Sequence, residues 1–251
     1  MAPKQGHTGE ILDSERELVL RGEERYGRFC SHANGFGSLL GTGTIKSIKA
    51  DGATFALFYA NVVKHYWLAS FSALRLHHVQ CQMNLRQVLE NGACAAYAIA
   101  NPDPAGFADT RADGTLDPTQ ELTKKRYAWL DQNFKAGSDG IKRQKMQINE
   151  IGAHANIVSA HQNFKADLEG GMFHTPYFDF EDEFVVKTDL WQTANIAMGL
   201  LDLFYGVNQK VGVITYQDGW PDRFKVLDAE NGALKEAMMK HDRIKRFFVA
   251  K

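Results

Sequence analysis

The chain has 251 residues, of which 44% are hydrophobic and 24% are charged, and its formal net charge is −1. These values are typical of globular proteins and exclude a disordered or fibrous chain. Because basic and acidic residues balance, broad nonspecific binding to nucleic acid or to an anionic membrane is not expected.

The first 52 residues predict an exposed helix followed by a connector. Residues 14–31 carry a dense pattern of charges, which is typical of a helix on the protein surface. Residues 35–44 are rich in glycine, but they lack the preceding hydrophobic strand and the Gly-Lys-Ser/Thr ending of a phosphate-binding loop. We therefore expect this segment to end the helix and to form a flexible connector.

Residues 53–100 predict the long central helices of the fold. The segment contains no proline and shows apolar residues at helical spacing. As one continuous helix it would be about 70 Å long, which exceeds the width of a compact domain of this size. We therefore expect a break, either at His77-His78 or at Gly92.

The second half of the chain predicts further helices with short extended segments between them. Residues 101–118 combine prolines, glycines and aspartates and predict a loop. Helices are expected at 118–134 and 139–168, and an amphipathic helix at 187–210. The alternating aromatic residues at 172–180 predict an extended segment.

The C-terminal residues predict a β-hairpin and a final helix. Strands are expected at 211–216 and 223–227 on either side of a turn, followed by a basic helix at about 229–248. The sequence thus predicts a mainly α fold, a helical bundle with long central helices and a small β-hairpin appendage near the C-terminus. It is expected to form one domain with an N-terminal part (1–52), a bundle core (53–210) and a C-terminal part (211–251).

The cysteine count and the hydropathy pattern bear on location. The chain has three cysteines, at Cys30, Cys81 and Cys94. Their odd number and their spacing match neither a disulfide scaffold nor a zinc motif, which favours a reducing compartment. No segment has the character of a signal peptide or the length of a membrane-spanning helix. The expectation is a soluble, cytoplasmic protein that does not enter a membrane.

Two polar pairs on predicted helices are the first candidate site. Arg86 and Glu90 are spaced i,i+4 on a helix whose other faces are largely apolar, and Asn149 and His154 could face them from a later helix. Buried charges need partners, because an isolated buried charge is costly. Such a cluster could bind an anion or a nucleotide phosphate, or it could be a structural network that fixes helix register.

A second candidate is a metal site on the later helix. Glu150, His154 and His161 lie four and seven residues apart, so they share one stripe of a helix. Carboxylate and neutral imidazole are suitable ligands for Zn or Fe, which would allow a metal-dependent helical-bundle enzyme. The spacing matches neither the Glu-x-x-His pattern of di-iron bundles nor the zinc motif His-Glu-x-x-His. The alternative is a hydrogen-bonded core histidine and a surface histidine.

Two surface features could bind partner molecules. Basic residues at 124–126 and 142–145 could form a local basic face, the only form of nucleic-acid binding that the charge balance leaves open. A structural or assembly protein is a further alternative, in which an aromatic C-terminal region docks a protein partner. The aromatic residues concerned are Phe173, Tyr177, Phe178, Phe180 and Trp220.

The segments LRQVLE on one long helix and KRQKMQINEIGAHANI on a later one resemble the HEPN-type helical domains, in particular their bacterial and defence-associated relatives. The resemblance covers about residues 53–210. It implies a helical bundle, typically dimeric, with a polar centre formed by Arg86, Glu90, Asn149 and His154.

The same resemblance bears on catalysis. The ribonucleases of that superfamily carry Arg-x4–6-His late in the fold. In this chain the spacing occurs at Arg25 and His32, near the N-terminus. The resemblance therefore implies a nonenzymatic or divergent member that binds a partner or a small anionic ligand, without a cofactor.

Overall fold

The computed structural model describes residues 8–151, 165–167, 172–174 and 176–249. The fold is mainly α, as the sequence predicts. The helices are α1 (Thr8–Leu20), α2 (Gly22–Tyr26), α3 (Arg28–Ser38), α4 (Ala53–Leu74), α5 (His78–Ala100), α6 (Gln120–Asn133), α7 (Lys135–Ile151), α8 (Glu183–Val211), α9 (Trp220–Met239) and α10 (Asp242–Val249). The strands are β1 (Ile45–Ile48), β2 (Asp109–Thr110), β3 (Leu116–Asp117), β4 (Lys165–Asp167), β5 (Met172–His174) and β6 (Ile214–Tyr216).

The long central helices α4 and α5 pack against each other more extensively than any other pair of described elements. The predicted break at His77-His78 is confirmed, because residues 75–77 separate the two helices and Leu76 has a positive φ of 62°. Gly92 stays inside α5. A Cβ atom at Gly92 would lie 2.5 Å from Cδ2 of Leu200 in α8, so the glycine allows the two helices to approach closely.

The hydrophobic core is continuous across the three predicted parts of the chain. Helix α8 packs on α3, α4 and α5. Phe36 from the N-terminal part, Leu85 and Leu200 from the bundle and Ile214 from the C-terminal part belong to one buried cluster. The N- and C-terminal parts therefore complete the core of the bundle.

The predicted flexible connector is wrong. Residues 28–38 form α3, and residues 39–43 continue it as a wider π-helical turn. Gly37 is buried, and a Cβ atom there would lie 2.5 Å from the Trp67 ring. The glycines thus serve close packing rather than flexibility. The helix predicted at 14–31 is also divided, with breaks at Arg21 and Gly27 between α1, α2 and α3.

The predicted C-terminal hairpin is wrong in its second strand. Strand β6 pairs antiparallel with β1, with Ile48 opposite Ile214, and residues 223–227 lie inside α9. The helix begins there because Gly219, with φ 74°, turns the chain and Pro221 occupies the first helical turn. Phe224 and Leu227 then pack on the core at helical spacing instead of alternating along a strand.

Helices α6 and α7 form a second antiparallel pair beside α5. Helix α6 starts two residues later than predicted, because the Oγ1 atom of Thr119 accepts the backbone N–H of Leu122 at 3.3 Å and caps the helix. The break before α7 lies at Phe134 rather than at Gly137-Ser138. This arrangement leaves a cleft between α6 and α7, next to α5.

Candidate functional site

Three of the four residues expected in the polar centre meet where α5 packs on α7. Arg86 Nη1 donates to Asn149 Oδ1 at 2.8 Å, and Arg86 Nε donates to Glu90 Oε1 at 3.1 Å. The fourth residue, His154, lies outside the described residues. The structure thus brings Arg86, Glu90 and Asn149 together, while their role in binding stays a prediction.

Lys145 is a fourth member that the sequence analysis did not place in this site. Its Nζ atom lies 3.1 Å from Glu90 Oε1 and donates to the hydroxyl of Tyr127 at 3.3 Å. The signal was present, since Lys145 precedes Asn149 by four residues and therefore shares its helical face. We refer to Arg86, Glu90, Lys145 and Asn149 as the Glu90 cluster.

The Glu90 cluster is half-buried, and its charges stabilise one another. Burial raises the pKa of Glu90, but the hydrogen bonds and charges of Lys145 and Arg86 outweigh burial and hold the pKa below its usual value. Burial lowers the pKa of Lys145, whereas Tyr127 and Glu90 outweigh burial and raise it. At neutral pH the site therefore contains a carboxylate and two cations.

A cavity of about 510 Å³, wide open to solvent, adjoins the Glu90 cluster between α6 and α7. Its walls are formed by Tyr127, Lys142, Lys145, Met146, Asn149 and Glu150. Lys142 is held by Asp131, at 2.6 Å, while Lys145 and Asn149 belong to both the cavity and the cluster. The cavity thus combines an apolar wall, a cation and an amide in one place.

The described residues give no support to the metal site expected at Glu150, His154 and His161. Glu150 is exposed at the cavity wall, and His154 and His161 lie outside the described residues. Among the residues that the structure describes, no group of three or more His, Cys, Asp or Glu side chains could hold a metal ion. The Zn or Fe site stays a prediction.

Three of the six basic residues expected at 124–126 and 142–145 are engaged with other groups. The other three, Lys124, Lys125 and Arg143, are exposed. Arg126 is 8% exposed, donates to the carbonyl of Gly106 at 3.2 Å and lies over the Phe107 ring. Lys142 pairs with Asp131, and Lys145 contacts Glu90. These contacts reduce the charge available to a phosphate backbone on that side of the molecule.

Arg25 and His32, which carry the Arg-x6-His spacing, each have a structural partner elsewhere. Arg25 forms an ion pair with Glu181. His32 is 3% exposed, and its Nε2 atom lies 3.2 Å from Asn231 Oδ1. Burial lowers the pKa of His32, so the imidazole is neutral at physiological pH. Arg25 therefore connects α2 to the segment just before α8, and His32 connects α3 to α9.

The aromatic residues expected to form a docking appendage are divided between core and surface. Trp220 and Phe178 are each 4% exposed, whereas Tyr177 is 50% exposed. Trp220 stacks on Tyr216 with ring centroids 5.0 Å apart, which ties α9 to β6. The side chain of Phe173 lies outside the described residues. Phe180 is 39% exposed, so two of the four described residues pack inside the fold and two are exposed.

Comparison with protein-family models, with curated proteins and with solved structures finds no match for this chain. Within the described ranges, no helix is both long and apolar enough to cross a lipid bilayer. The chemistry of the Glu90 cluster and its cavity is thus the guide to function.

Proposed function

We propose that the protein is a non-catalytic, HEPN-like helical bundle that binds a small anionic ligand in the cavity beside the Glu90 cluster. The observation that carries the proposal is that Arg86 and Lys145 both contact the single carboxylate of Glu90. Two cations and one carboxylate give the Glu90 cluster a surplus positive charge, and Lys145 is the cation of the cluster that lines the cavity. A phosphate or carboxylate group would form charge-assisted hydrogen bonds with it.

The walls of the cavity favour a ligand that joins an anionic group to a planar or apolar part. A volume of about 510 Å³ accommodates a small organic molecule. Tyr127 and Met146 offer apolar surface, and Asn149 offers an amide for hydrogen bonding. A nucleotide has this combination of groups. Glu150 repels an anion, but it is exposed, so solvent and salt screen its charge.

The protonation states favour binding over acid–base catalysis. An efficient general acid or base has a pKa near the working pH. The pKa of Glu90 is held below its usual value and that of Lys145 above it, so both move away from neutrality. Both groups therefore hold constant charges at neutral pH, which suits the recognition of a charged ligand.

The test is calorimetric titration of the purified chain with AMP, ADP, inorganic phosphate and adenosine. We expect AMP or ADP to bind, adenosine to bind more weakly because it lacks the anionic group, and affinity to fall as salt is added. Lys145→Met should weaken nucleotide binding by about tenfold or more, since a hydrogen bond to a charged group contributes about 1.5–3 kcal/mol.

The matched control is Lys64→Met, which removes an exposed lysine from α4, away from the cavity. Its affinity should equal that of the unmodified chain. If the four compounds fail to bind, or if Lys145→Met and Lys64→Met bind nucleotide equally well, the Glu90 cluster is a structural network and the proposal is wrong.

The proposal extends to a homodimer, which the HEPN resemblance implies. Light scattering of the purified chain should give twice the monomer mass of 28.1 kDa. A mass equal to the monomer at all concentrations tested would contradict this part alone and would leave the ligand-binding proposal standing.

Four expectations stay predictions. They are the metal-dependent enzyme, the assembly protein that docks a protein partner, nucleic-acid binding through the local basic face, and the cytoplasmic location inferred from the cysteines.

A further inference from the structure

A buried ion pair joins the start of α5 to α8. Asp189 of α8 is 2% exposed and accepts hydrogen bonds from His78 Nδ1 at 2.7 Å and from Gln82 Nε2 at 2.9 Å. The two partners of the pair are 111 residues apart in sequence. A carboxylate in such a place requires neutralisation, because an uncompensated buried charge is strongly destabilising.

The same histidine also binds the segment that crosses the corner between α4 and α5. We call residues 176–182 the corner strap. The backbone N–H of His78 donates to Asp179 Oδ2 at 2.6 Å, and the backbone N–H of Asp179 donates to the carbonyl of Leu76 at 2.9 Å. Asp179 thus satisfies an unpaired donor at the N-terminus of α5. His78 contacts the strap through its backbone and α8 through its ring.

Further contacts hold the strap in place. Phe178 is 4% exposed and stacks on the His77 ring, with centroids 5.6 Å apart and planes 14° from parallel. The hydroxyl of Tyr177 donates to Glu15 of α1 at 3.2 Å. At the far end of the strap, Asp182 caps α8 and pairs with Arg243 of α10 at 2.6 Å. Glu181 of the strap also pairs with Arg25 of α2. The strap therefore connects the corner to α1, α2, α8 and α10.

The charges around His78 are mostly negative. A cavity of about 20 Å³, which is enough for one water molecule, lies among His78, Asp179, Asp182 and Asp189. The titratable and charged groups that face the pair or the adjacent corner are Cys81, Asp179, Asp189, Asp182 with its partner Arg243, and His77 with Glu15 and Arg75. Burial raises the pKa of Cys81, so it stays a neutral thiol.

We infer that the His78–Asp189 pair is a proton-controlled latch for the corner strap. Protonated His78 lies beside both Asp189 and Asp179 and offsets part of their combined negative charge. Loss of its proton leaves these two carboxylates facing each other without a counter-charge. Asp189 is fixed in α8, whereas Asp179 is partly exposed and can move towards solvent. The strap is therefore the element that opens.

The direction of the pH response follows from both members of the pair. Burial lowers the pKa of His78, but the hydrogen bond and charge of Asp189 outweigh burial and raise it above 6.5. Burial raises the pKa of Asp189 above its usual value, and His78 only partly offsets this. Both groups bind protons more tightly in the folded state, so the strap is closed below the pKa of an unfolded histidine. It opens as the pH rises through the folded pKa of His78.

The test is hydrogen exchange, measured by mass spectrometry on the full chain between about pH 6 and about pH 9 and corrected for intrinsic exchange. Protection of residues 176–182 should fall over this range, because His78 loses its proton as the pH rises through its folded pKa. Peptides from the middle of α4 should keep their protection.

The variant His78→Gln cannot titrate and should show strap protection that does not change with pH. The control His65→Gln alters a histidine whose ring bonds Asn84 rather than a carboxylate, and it should respond as the unmodified chain does. Should His78→Gln fail to fold, NMR titration of the His78 ring in the unmodified chain decides, since its midpoint must coincide with that of strap opening. Flat protection in the unmodified chain, an equal fall in His78→Gln, or differing midpoints would overturn the inference.

Discussion

At the scale of single residues, the Glu90 carboxylate shows how a half-buried charge is held in a helical interface. It contacts Arg86 on its own helix and Lys145 on the neighbouring one. The side chains of these three residues are 23–35% exposed, so water weakens each ion pair. The energy of the Glu90 cluster is therefore modest, although its geometry is well defined.

Glu90→Gln should lower the free energy of unfolding by about 1 kcal/mol at about pH 7 after allowance for solvent screening. The folded pKa of Glu90 lies below its usual value, so its contribution is present above pH 4.5 and is lost as the pH falls through the folded pKa. Urea unfolding at about pH 7 and about pH 3 measures this, and the difference from the unmodified chain should be smaller at the lower pH.

The matched control for this substitution is Glu183→Gln. Glu183 pairs with Lys187 at i,i+4, but its side chain is 65% exposed. Glu183→Gln should change the free energy of unfolding by no more than about 0.5 kcal/mol at either pH. A loss in Glu90→Gln that persists unchanged at acid pH would show that the effect comes from packing and not from charge.

Asn208 has a larger structural role than its residue type suggests. Its side chain is buried, donates to the carbonyl of Ile214 at 2.8 Å and accepts the N–H of the same residue at 2.8 Å. The side-chain amide thus forms the two hydrogen bonds that a neighbouring strand would form with Ile214, the first residue of β6. Both backbone groups would lose a buried partner without it.

Asn208→Ala should therefore lower the free energy of unfolding by about 2–4 kcal/mol, because it leaves a buried donor and a buried acceptor unpaired. Asn91→Ala removes a single exposed hydrogen bond to the Gln87 carbonyl and is the control, with a change of less than about 0.5 kcal/mol. Denaturant unfolding of both variants gives the comparison. Equal losses of unfolding free energy in the two variants would show that the hydrogen bonds of Asn208 to Ile214 do not stabilise the fold.

At the scale of elements, the approach of α5 to α8 depends on the missing side chain of Gly92. Glycine inside a helix normally destabilises it relative to alanine by about 1 kcal/mol. In this interface an added Cβ atom would lie 2.5 Å from Cδ2 and 3.1 Å from Cγ of Leu200, which is 1% exposed. Packing therefore disfavours alanine at position 92, although alanine has the higher intrinsic helix preference.

Gly92→Ala should destabilise the protein by about 1–3 kcal/mol because it overpacks a closed core. Gly199→Ala, in α8, is the matched control: among the described residues, no atom outside the neighbouring backbone of α8 lies within 4 Å of its would-be Cβ, so it should stabilise by about 0.5–1 kcal/mol. Thermal unfolding distinguishes the two by the sign of the change in melting temperature. A gain in stability for Gly92→Ala would show that Leu200 can move aside.

Helical periodicity was sufficient to predict α4, α5 and α8, because each has a long apolar face and no internal proline. It failed for α3 and for residues 223–227 for different reasons. Glycine-rich sequence has low intrinsic helix preference, and the tertiary approach of Trp67 to Gly37 overrides it. Short apolar runs such as RFKVL fit either a strand or a helix, and the turn at Gly219 decides between them.

The same limits apply to the candidate site. The i,i+4 spacing of Arg86 and Glu90, with the need to pair buried charge, was enough to predict contact with Asn149. The contact of His78 with Asp189 could not be predicted, because local spacing carries no information about residues that are 111 positions apart. Such contacts depend on how whole helices pack, and helix packing cannot be predicted from the spacing of residues within one segment.

At the scale of the whole molecule, the C-terminal part completes the fold. Strand β6 supplies the partner of β1, and α9 packs on α3 and α8. Trp220 is 4% exposed and Leu234 is 2% exposed. Removing this part would uncover apolar surface on the N-terminal helices as well as on the bundle.

Deletion of residues 211–251 should therefore abolish cooperative thermal unfolding, because β1 loses its partner and buried side chains of α3 and α8 become exposed. Deletion of 242–251 alone is the control. It removes α10 and the Arg243 pair with Asp182, both near the surface, and should leave a cooperative transition. Circular dichroism on heating measures both. A cooperative melt of the 1–210 chain would show that the C-terminal part is an independent appendage.

The pairing of β1 with β6 also has a consequence for synthesis on the ribosome. The strands pair residues as far as 171 positions apart, Ile45 with Tyr216, whereas the corner at 75–77 joins α4 and α5 locally. Local contacts form quickly, and closing a long loop is entropically unfavourable until the intervening chain is folded. As the chain emerges, we expect the α4–α5 hairpin to form early. Strand β1 must wait, with its edge unpaired, until residues 214–216 have been made.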